Sequence, residues 1–216
     1  MKSKQFFAAL VLMAAFHGAG GAETTRALRI DFAGHHKSAS ADARYAARWI
    51  AGHADNQGRP FIIVDKKKAR MFVFEASGRL RATTAVLLGA GPGDDSIPGI
   101  AGRAPGSLLP HERTTPAGRF VSEPGRNLQG EDIVWVDYGA KIAIHRLRPG
   151  ATQAQRAERL ASSASDDKRV TLGCIVVPVN FYEGVIRPVF GKDYGVVYVL
   201  PEAGSVQAMF GALNAG

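Results

Sequence analysis

The sequence predicts a mainly β fold, a mixed or closed β-sheet with a few short helices. About eight or nine short apolar runs with the alternation typical of strands lie between Phe61 and Leu200. Helical spacing is confined to a few short segments. The length of 216 residues and the 46% apolar content are sufficient for one globular domain with a substantial core.

Residues 1–22 have the pattern of a secretory signal. Lys2 and Lys4 precede an apolar run from Phe6 to Phe16, and small residues precede a cleavage site after Ala22. The run is too short to span a bilayer, and no later segment resembles a membrane helix; an uncleaved anchor is the alternative. We therefore predict an exported mature chain, in a bacterial periplasm or cell envelope, without a transmembrane segment.

Three regions are predicted after the signal: an N-terminal lead-in at residues 23–58, a β-rich domain at 59–202 and a C-terminal tail at 203–216. The lead-in contains one helix, from about Ser40 to His53, because Ser40 can cap it and apolar residues recur on one face. That face consists of Ala43, Ala46, Ala47 and Ile50.

The β-rich domain begins with a predicted hairpin. Its strands, Phe61–Asp65 and Met71–Phe74, flank three consecutive lysines that we expect on an exposed turn. A further strand follows at Leu80–Leu88. Residues 89–102 are rich in Gly and Pro and lack the ending of a phosphate-binding loop, so we expect a surface loop at the rim of a site.

The second half of the domain adds strands and short helices. A tight turn at residues 114–120 leads into a short strand, and Gly139-Ala140 turns a second hairpin. The remaining predicted elements are the hairpin strands Ile133–Tyr138 and Lys141–His145, helical segments at Thr152–Leu160 and Phe181–Ile186, and a last strand at Gly195–Leu200.

The net charge of +8, or +6 without residues 1–22, favours an anionic partner such as a cell-wall polymer or an anionic lipid surface. A solvated basic surface without a partner is the alternative. The basic residues are dispersed and the chain is predicted to be exported, which argues against nucleic acid. His35, His36 and His53 lack the supporting acids of a metal site, and no cofactor is predicted.

Cys174 is the only cysteine in the chain and the first candidate for chemistry. A single cysteine is often a buried structural residue. In an exported chain, however, structural cysteines usually form pairs, so an unpaired one is a candidate reactive thiol. Gly173 before it permits a sharp turn that places backbone N–H groups beside the sulfur.

His145 is the candidate base for that thiol. A cysteine nucleophile needs a nearby base or positive group to form a thiolate. Of the six histidines, His145 alone ends a strand-like run, with the cysteine segment still to come in the chain. A structural histidine at a strand end is the alternative.

Three segments resemble the catalytic domain of the L,D-transpeptidases, also called the YkuD domain. They are Thr115–Phe120, Ile142–His145 and Thr171–Ile175. They follow the order of the family's threonine-proline-x-glycine-x-phenylalanine turn, its isoleucine-histidine strand end and its signature of serine or threonine, histidine, glycine and cysteine. The opening hairpin is similar to the family's first strands, and the likeness extends over residues 59–200.

The resemblance implies a β-sandwich-like catalytic domain at residues 59–202 that transfers acyl groups between peptidoglycan stem peptides. Cys174 would be the nucleophile and His145 its general base. The amides around Leu172, Gly173 and Cys174 would form the oxyanion hole, supported by Thr171. A thioester would form on Cys174 as D-alanine leaves, and an amine of a second stem peptide would resolve it, which cross-links or remodels peptidoglycan.

Two positions depart from the family pattern. Leu172 replaces the signature histidine, and Val176 stands where many members carry an arginine. Arg146 or Arg148 could replace that arginine in binding a substrate carboxylate, although structural salt bridging is an equal alternative for both.

The sequence leaves the partner of His145 and the fate of the thioester open. A backbone carbonyl or Asp137 could orient His145. Water could resolve the thioester instead of an amine, which would make the protein an L,D-carboxypeptidase. The departures from the family pattern also allow a catalytically silent YkuD-like domain that binds the wall or a partner protein.

Overall fold

The computed structural model describes residues 28–214, so the predicted signal at residues 1–22 lies outside the described residues. Ten strands dominate this range, with short helices between them. None of the helices in this range is both long and apolar enough to cross a membrane.

The strands are β1 (Phe61–Asp65), β2 (Arg70–Phe74), β3 (Leu80–Ala85), β4 (Leu88–Gly89), β5 (Gly118–Arg126), β6 (Asp132–Asp137), β7 (Ile142–Arg146), β8 (Arg169–Thr171), β9 (Ile175–Val177) and β10 (Gly195–Val199). The α-helices are α1 (Ala41–His53), α2 (Gln153–Ala161), α3 (Val179–Phe181), α4 (Arg187–Phe190) and α5 (Val206–Asn214). A π-helical turn (Tyr182–Ile186) joins α3 to α4.

Eight of these strands form one mixed sheet in the order β3-β2-β1-β10-β5-β6-β7-β9, and β4 pairs with β8 in a small second sheet. β1 and β10 are parallel, as are β7 and β9, whereas the remaining neighbours in the large sheet are antiparallel. Beyond the end of β3, Leu87 exchanges backbone hydrogen bonds of 2.9 and 3.0 Å with Val176 of β9, at the opposite edge. This contact nearly closes the sheet and confirms the predicted mainly β fold.

Side chains from β1 enter two separate cores. Ile62 and Val64 join the core enclosed by the curved sheet, whereas Phe61 and Ile63 join a second core that includes α1 and α5. A strand buried on both faces needs apolar residues at every position. This explains why β1 is a continuous apolar run rather than an alternating one.

The helix predicted in the lead-in is confirmed. Its N-cap is Ser40, whose Oγ accepts a hydrogen bond of 3.0 Å from the amide of Ala43. All four residues of the predicted apolar face are fully buried. Helix α5, which lies in the segment predicted as a C-terminal tail, covers the same core with Val206 and Phe210. The division of the chain at residues 22, 58 and 202 stays a prediction.

The two predicted hairpins are present as β1–β2 and β6–β7, and the predicted helix at Thr152–Leu160 is present as α2. The segment predicted to be a helical turn at Phe181–Ile186 lies within the longer helical stretch formed by α3, the π-helical turn and α4. The strand predicted at Leu80–Leu88 is divided into β3 and β4.

Lys66 corrects the expectation that all three lysines after β1 are exposed. The next two are exposed, but only 1% of the Lys66 surface is accessible. Its Nζ donates to the carbonyls of Gly93 and Thr115, at 2.6 and 2.9 Å, and forms an ion pair of 2.7 Å with Asp94. Three oxygen acceptors therefore replace the water that the buried ammonium group loses.

Asp94 connects this ammonium group to the segment after β10. Its carboxylate accepts hydrogen bonds of 2.6, 2.9 and 2.8 Å from the amides of Glu202, Ala203 and Gly204. Burial alone would raise the pKa of this carboxyl group, but the hydrogen bonds from these amides and from Lys66 outweigh it and lower the pKa to about 2. The Asp94 carboxylate is therefore ionised at neutral pH.

We expect Lys66→Met to lower the free energy of unfolding by about 3–5 kcal/mol, because it leaves the Asp94 carboxylate without its buried partner. The matched control is Lys67→Met in the same turn. It removes only an exposed ion pair of 2.9 Å with Asp42 and should cost less than about 1 kcal/mol. Urea denaturation followed by circular dichroism measures both values, and equal losses would contradict a special role for Lys66.

Candidate active site

Residues 172–174 form a sharp turn between β8 and β9, and this turn carries Cys174. Gly173 adopts a φ of +129°, which residues with a side chain rarely adopt. A Cβ at this position would lie 2.7 Å from Ile142 Cδ1 and 2.9 Å from the carbonyl oxygen of Thr114. Both the backbone conformation and the close packing therefore require glycine immediately before the cysteine.

Two threonine hydroxyls hold this turn. Thr171 Oγ1 donates to the carbonyl of Cys174 at 2.7 Å and accepts a hydrogen bond of 3.1 Å from the amide of Gly173. Thr115 Oγ1 donates to the carbonyl of Gly173 at 2.7 Å and accepts one of 2.9 Å from the amide of Gly89. Each hydroxyl acts as donor and acceptor, so the backbone around Cys174 is fixed from two sides.

The parallel pairing of β7 with β9 aligns the segment of His145 with that of Cys174. His145 lies opposite Val176 in the register, and Cys174 precedes Val176 by two positions. Side chains two positions apart along an extended segment share a face, so Cys174 and His145 are diagonal neighbours on one face of the sheet.

A backbone carbonyl, rather than Asp137, orients the ring of His145. Nδ1 of His145 lies 2.8 Å from the carbonyl oxygen of Arg146. Because a carbonyl oxygen can only accept, Nδ1 carries the proton and Nε2 is the basic nitrogen. Asp137 instead accepts a hydrogen bond of 2.9 Å from the amide of Ala140 in the β6–β7 turn.

Burial has the largest influence on the pKa of both candidate catalytic groups, His145 and Cys174. It lowers the pKa of His145 to about 4, so the imidazole is neutral at pH 7. It also raises the pKa of the Cys174 thiol, an effect that the Ala143 amide and the Arg148 charge oppose. The sulfur lies 3.6 Å from the carbonyl oxygen of Lys141, which accepts the S–H. The resting pair is therefore a neutral thiol and a neutral imidazole.

The turn leaves two amides as donors for a substrate. The amide of Gly173 already donates a hydrogen bond to Thr171 Oγ1 and is therefore not free to bind a substrate. Among residues 28–214, no hydrogen bond uses the amide of Leu172 or Cys174. The oxyanion hole predicted for the amides around residues 172–174 is thus reduced to two candidate donors.

A cavity of about 150 Å³ opens beside Cys174. Leu172, of which 42% is exposed, belongs to its apolar lining together with Ile100 and Leu108. Arg103 also lines the cavity. Ile100 lies in the Gly- and Pro-rich loop that we expected at the rim of the site. No sequence pattern indicated that Arg103 and Leu108 belong to this site. They line the cavity because their loop lies next to Ala140 and Lys141 of the β6–β7 turn in the fold.

Arg146 lies away from this cavity. Its guanidinium forms an ion pair of 2.6 Å with Glu183 and lies 4.8 Å from the ring centre of Tyr182. Since Arg146 follows His145 in β7, the alternation of side chains places it on the opposite face of the strand. There it joins β7 to the helical segment after β9.

Arg148 lies on the side of the two candidate catalytic residues. It forms an ion pair of 2.8 Å with Glu131. Its positive charge acts to lower the pKa of both His145 and Cys174. Of the two arginines suggested for a substrate carboxylate, Arg148 is therefore the one near the thiol.

The described residues contain no cluster of three or more His, Cys, Asp or Glu side chains that could hold a metal ion. His53, one of the histidines considered in the lead-in, lies at the end of α1. Its Nδ1 is 2.8 Å from the carbonyl oxygen of Trp49, and the two rings stack with their centres 4.2 Å apart.

No family model matches the sequence, and no curated protein matches it. Solved structures similar to this chain include the helical cell shape determining protein of Campylobacter jejuni, with 19% identity, 68% of this chain and 49% of that chain covered, and a TM-score of 0.42. An L,D-transpeptidase of Enterococcus faecium has 17% identity and a TM-score of 0.36, and the match covers 66% of this chain and 50% of that chain. An L,D-transpeptidase of Xylanimonas cellulosilytica has 17% identity and a TM-score of 0.38, and the match covers 65% of this chain and 60% of that chain.

This chain thus spans about half the length of the first two of these proteins. The similar structures include L,D-transpeptidases, the family that the three sequence motifs resemble. With identities of 15–19% and TM-scores below 0.5, these structures carry no argument about this chain. The roles of individual residues rest on the geometry of this chain.

We expect iodoacetamide to alkylate Cys174 at a rate that rises about tenfold per pH unit through neutral pH, without a plateau. Above about pH 4 His145 is neutral, so no imidazolium stabilises a thiolate, and burial raises the thiol pKa above its ordinary 9.0. Mass spectrometry of the intact protein at a series of pH values measures the rate. A plateau between about pH 5 and 7 would reveal a thiolate–imidazolium pair and contradict the neutral resting state.

Proposed function

We propose that this protein is an exported cysteine acyltransferase of the L,D-transpeptidase type that acts on peptidoglycan stem peptides. The observation that supports the proposal most directly is the β7–β9 register, which puts Cys174 and His145 on one face of the sheet, two positions apart. Nε2 of His145 is its basic nitrogen, and the backbone turn around the thiol is fixed by two hydroxyl groups. The secretory pattern of residues 1–22 supports a substrate outside the cytoplasm.

The first half-reaction forms a thioester. Nε2 of His145 takes the S–H proton of Cys174 as the sulfur attacks the carbonyl between a diamino acid and the terminal D-alanine. The amides of Leu172 and Cys174 donate to the oxygen on which negative charge develops. The C–N bond then breaks, His145 returns the proton to the leaving amine, and D-alanine departs.

The second half-reaction resolves the thioester. The amine of a second stem peptide attacks the thioester carbonyl, and His145 accepts a proton from that amine. The C–S bond breaks, the proton passes to the sulfur, and the new amide bond joins the two peptides. The neutral resting pair suits this sequence, because His145 begins each half-reaction as a free base.

Arg148 is our candidate for binding a substrate carboxylate, in place of the arginine that the family pattern would put at Val176. Its charge already acts on the thiol and on His145, and its own partner is Glu131, which is partly exposed. A carboxylate of the substrate can compete for a half-exposed guanidinium at little cost, since exposed ion pairs are weak.

The test is digestion of purified muropeptides with the mature protein, followed by mass analysis. We expect cross-linked dimers with loss of D-alanine, no product with Cys174→Ser, and at least a hundredfold loss of acylation rate with His145→Ala. His111→Ala, at a residue that does not line the cavity beside Cys174, is the matched control and should retain activity. D-alanine release without dimers would indicate a carboxypeptidase, and product from Cys174→Ser would refute the thioester.

A separate prediction concerns Leu172, the exposed side chain where the family signature has histidine. We expect Leu172→His to fold and to change the acylation rate only modestly, because His145 is the base and residue 172 contributes its backbone amide. The rate of adduct formation with a β-lactam or a muropeptide donor measures this. An inert natural protein that becomes active as Leu172→His would instead identify a catalytically silent domain.

A further inference from the structure

A second cavity, along the β6–β7 turn, adjoins the cavity beside Cys174. The second cavity has a volume of about 300 Å³ and shares Ile100 and Ala140 with the first. Its own lining includes Ile97 and Asp137. The two cavities therefore adjoin at apolar residues, and we call them together the thiol–Asp137 groove.

The charges at the two ends of this groove are opposite. Lys141 lines the cavity at the thiol end, and Asp137 lines the cavity at the far end. Arg103 is also at the thiol end, but an ion pair of 2.7 Å with Glu112 neutralises it. In the described part of the chain neither Asp137 nor Lys141 forms an ion pair with another side chain.

Asp137 retains acceptor capacity for a ligand. Its Oδ1 accepts the amide of Ala140 at 2.9 Å, and no hydrogen bond within residues 28–214 uses its Oδ2. A half-buried carboxylate at the end of an apolar groove favours a positively charged group that reaches it through an aliphatic stem. The uncompensated Lys141 favours an anionic group close to the sulfur.

We propose that the thiol–Asp137 groove selects acyl donors with a free side-chain ammonium group, which Asp137 binds. The aliphatic stem of that side chain would lie against Ile97, Ile100 and Ala140. The carboxylate of the leaving residue would lie near Lys141, close to the carbonyl that Cys174 attacks. Asp137 is thus a specificity-determining residue. This inference rests on the proposed function, since it names the donor used by the same thiol.

The substitution Asp137→Asn isolates the charge. Asparagine keeps an oxygen that can accept the Ala140 amide, so the β6–β7 turn should be retained, but it can no longer pair with an ammonium group. The matched control is Asp193→Asn. Asp193 is an exposed carboxylate that likewise accepts a local backbone amide, from Tyr194 at 2.7 Å, and it lines neither cavity.

The experiment measures thioester formation on Cys174 by intact mass, with two synthetic tetrapeptides that end in a diamino acid and D-alanine. One carries the free side-chain amine, and in the second that amine is acetylated. For the natural protein we expect the free amine to be preferred by about tenfold or more in kcat/KM, the effect of one charge-assisted hydrogen bond. Asp137→Asn should abolish that preference by slowing the free-amine donor alone, whereas Asp193→Asn should preserve it.

The outcomes separate the two proposals. If the natural protein forms no thioester with either peptide, the proposed function fails. If both peptides acylate Cys174 at equal rates, the proposed function stands and the role of Asp137 is refuted. The same holds if Asp137→Asn lowers the rate of thioester formation equally with both peptides. Circular dichroism of both variants establishes that a loss of preference does not come from unfolding.

Discussion

The buried ammonium group of Lys66 is the interaction on which the arrangement of this protein depends. It lies at the β1–β2 turn and binds oxygens from two further segments, at residues 93–94 and at Thr115. Removing an ammonium group from water is costly, and only a full set of acceptors offsets the cost. These segments must therefore adopt their native positions together. Since the hydroxyl of Thr115 also holds Gly173, the same interaction helps to position the nucleophile turn.

Local patterns were sufficient to predict most elements, because each depends on neighbouring residues. The hairpins, the cap of α1 and its buried face are all encoded within about a dozen residues. The burial of Lys66 could not be predicted in this way, since its ionic partner is 28 positions away in the chain. Helix α5 was not predicted, although Val206, Met209 and Phe210 have the i, i+3, i+4 spacing of an amphipathic helix.

The candidate site likewise has features that local sequence predicts and features that depend on the whole fold. Cys174 and His145 could be proposed as candidates from sequence, since a lone thiol in a chain predicted to be exported and a strand-end histidine are local features. The sequence analysis did not determine which of the two arginines acts on the thiol. Strand alternation after His145 was nevertheless a usable signal, because it places Arg146 and His145 on opposite faces. The direction of the pKa changes required the fold, because burial by distant segments causes both of them.

The position of β10 has a consequence for how the chain acquires its structure. β10 is the last strand in sequence, yet it lies between β1 and β5 in the middle of the sheet. Until residues 195–199 have been synthesised, β1 and β5 each lack a neighbour and the two halves of the sheet cannot join. Pairings between such distant segments slow folding. The sheet is therefore completed only when β10 joins its two halves.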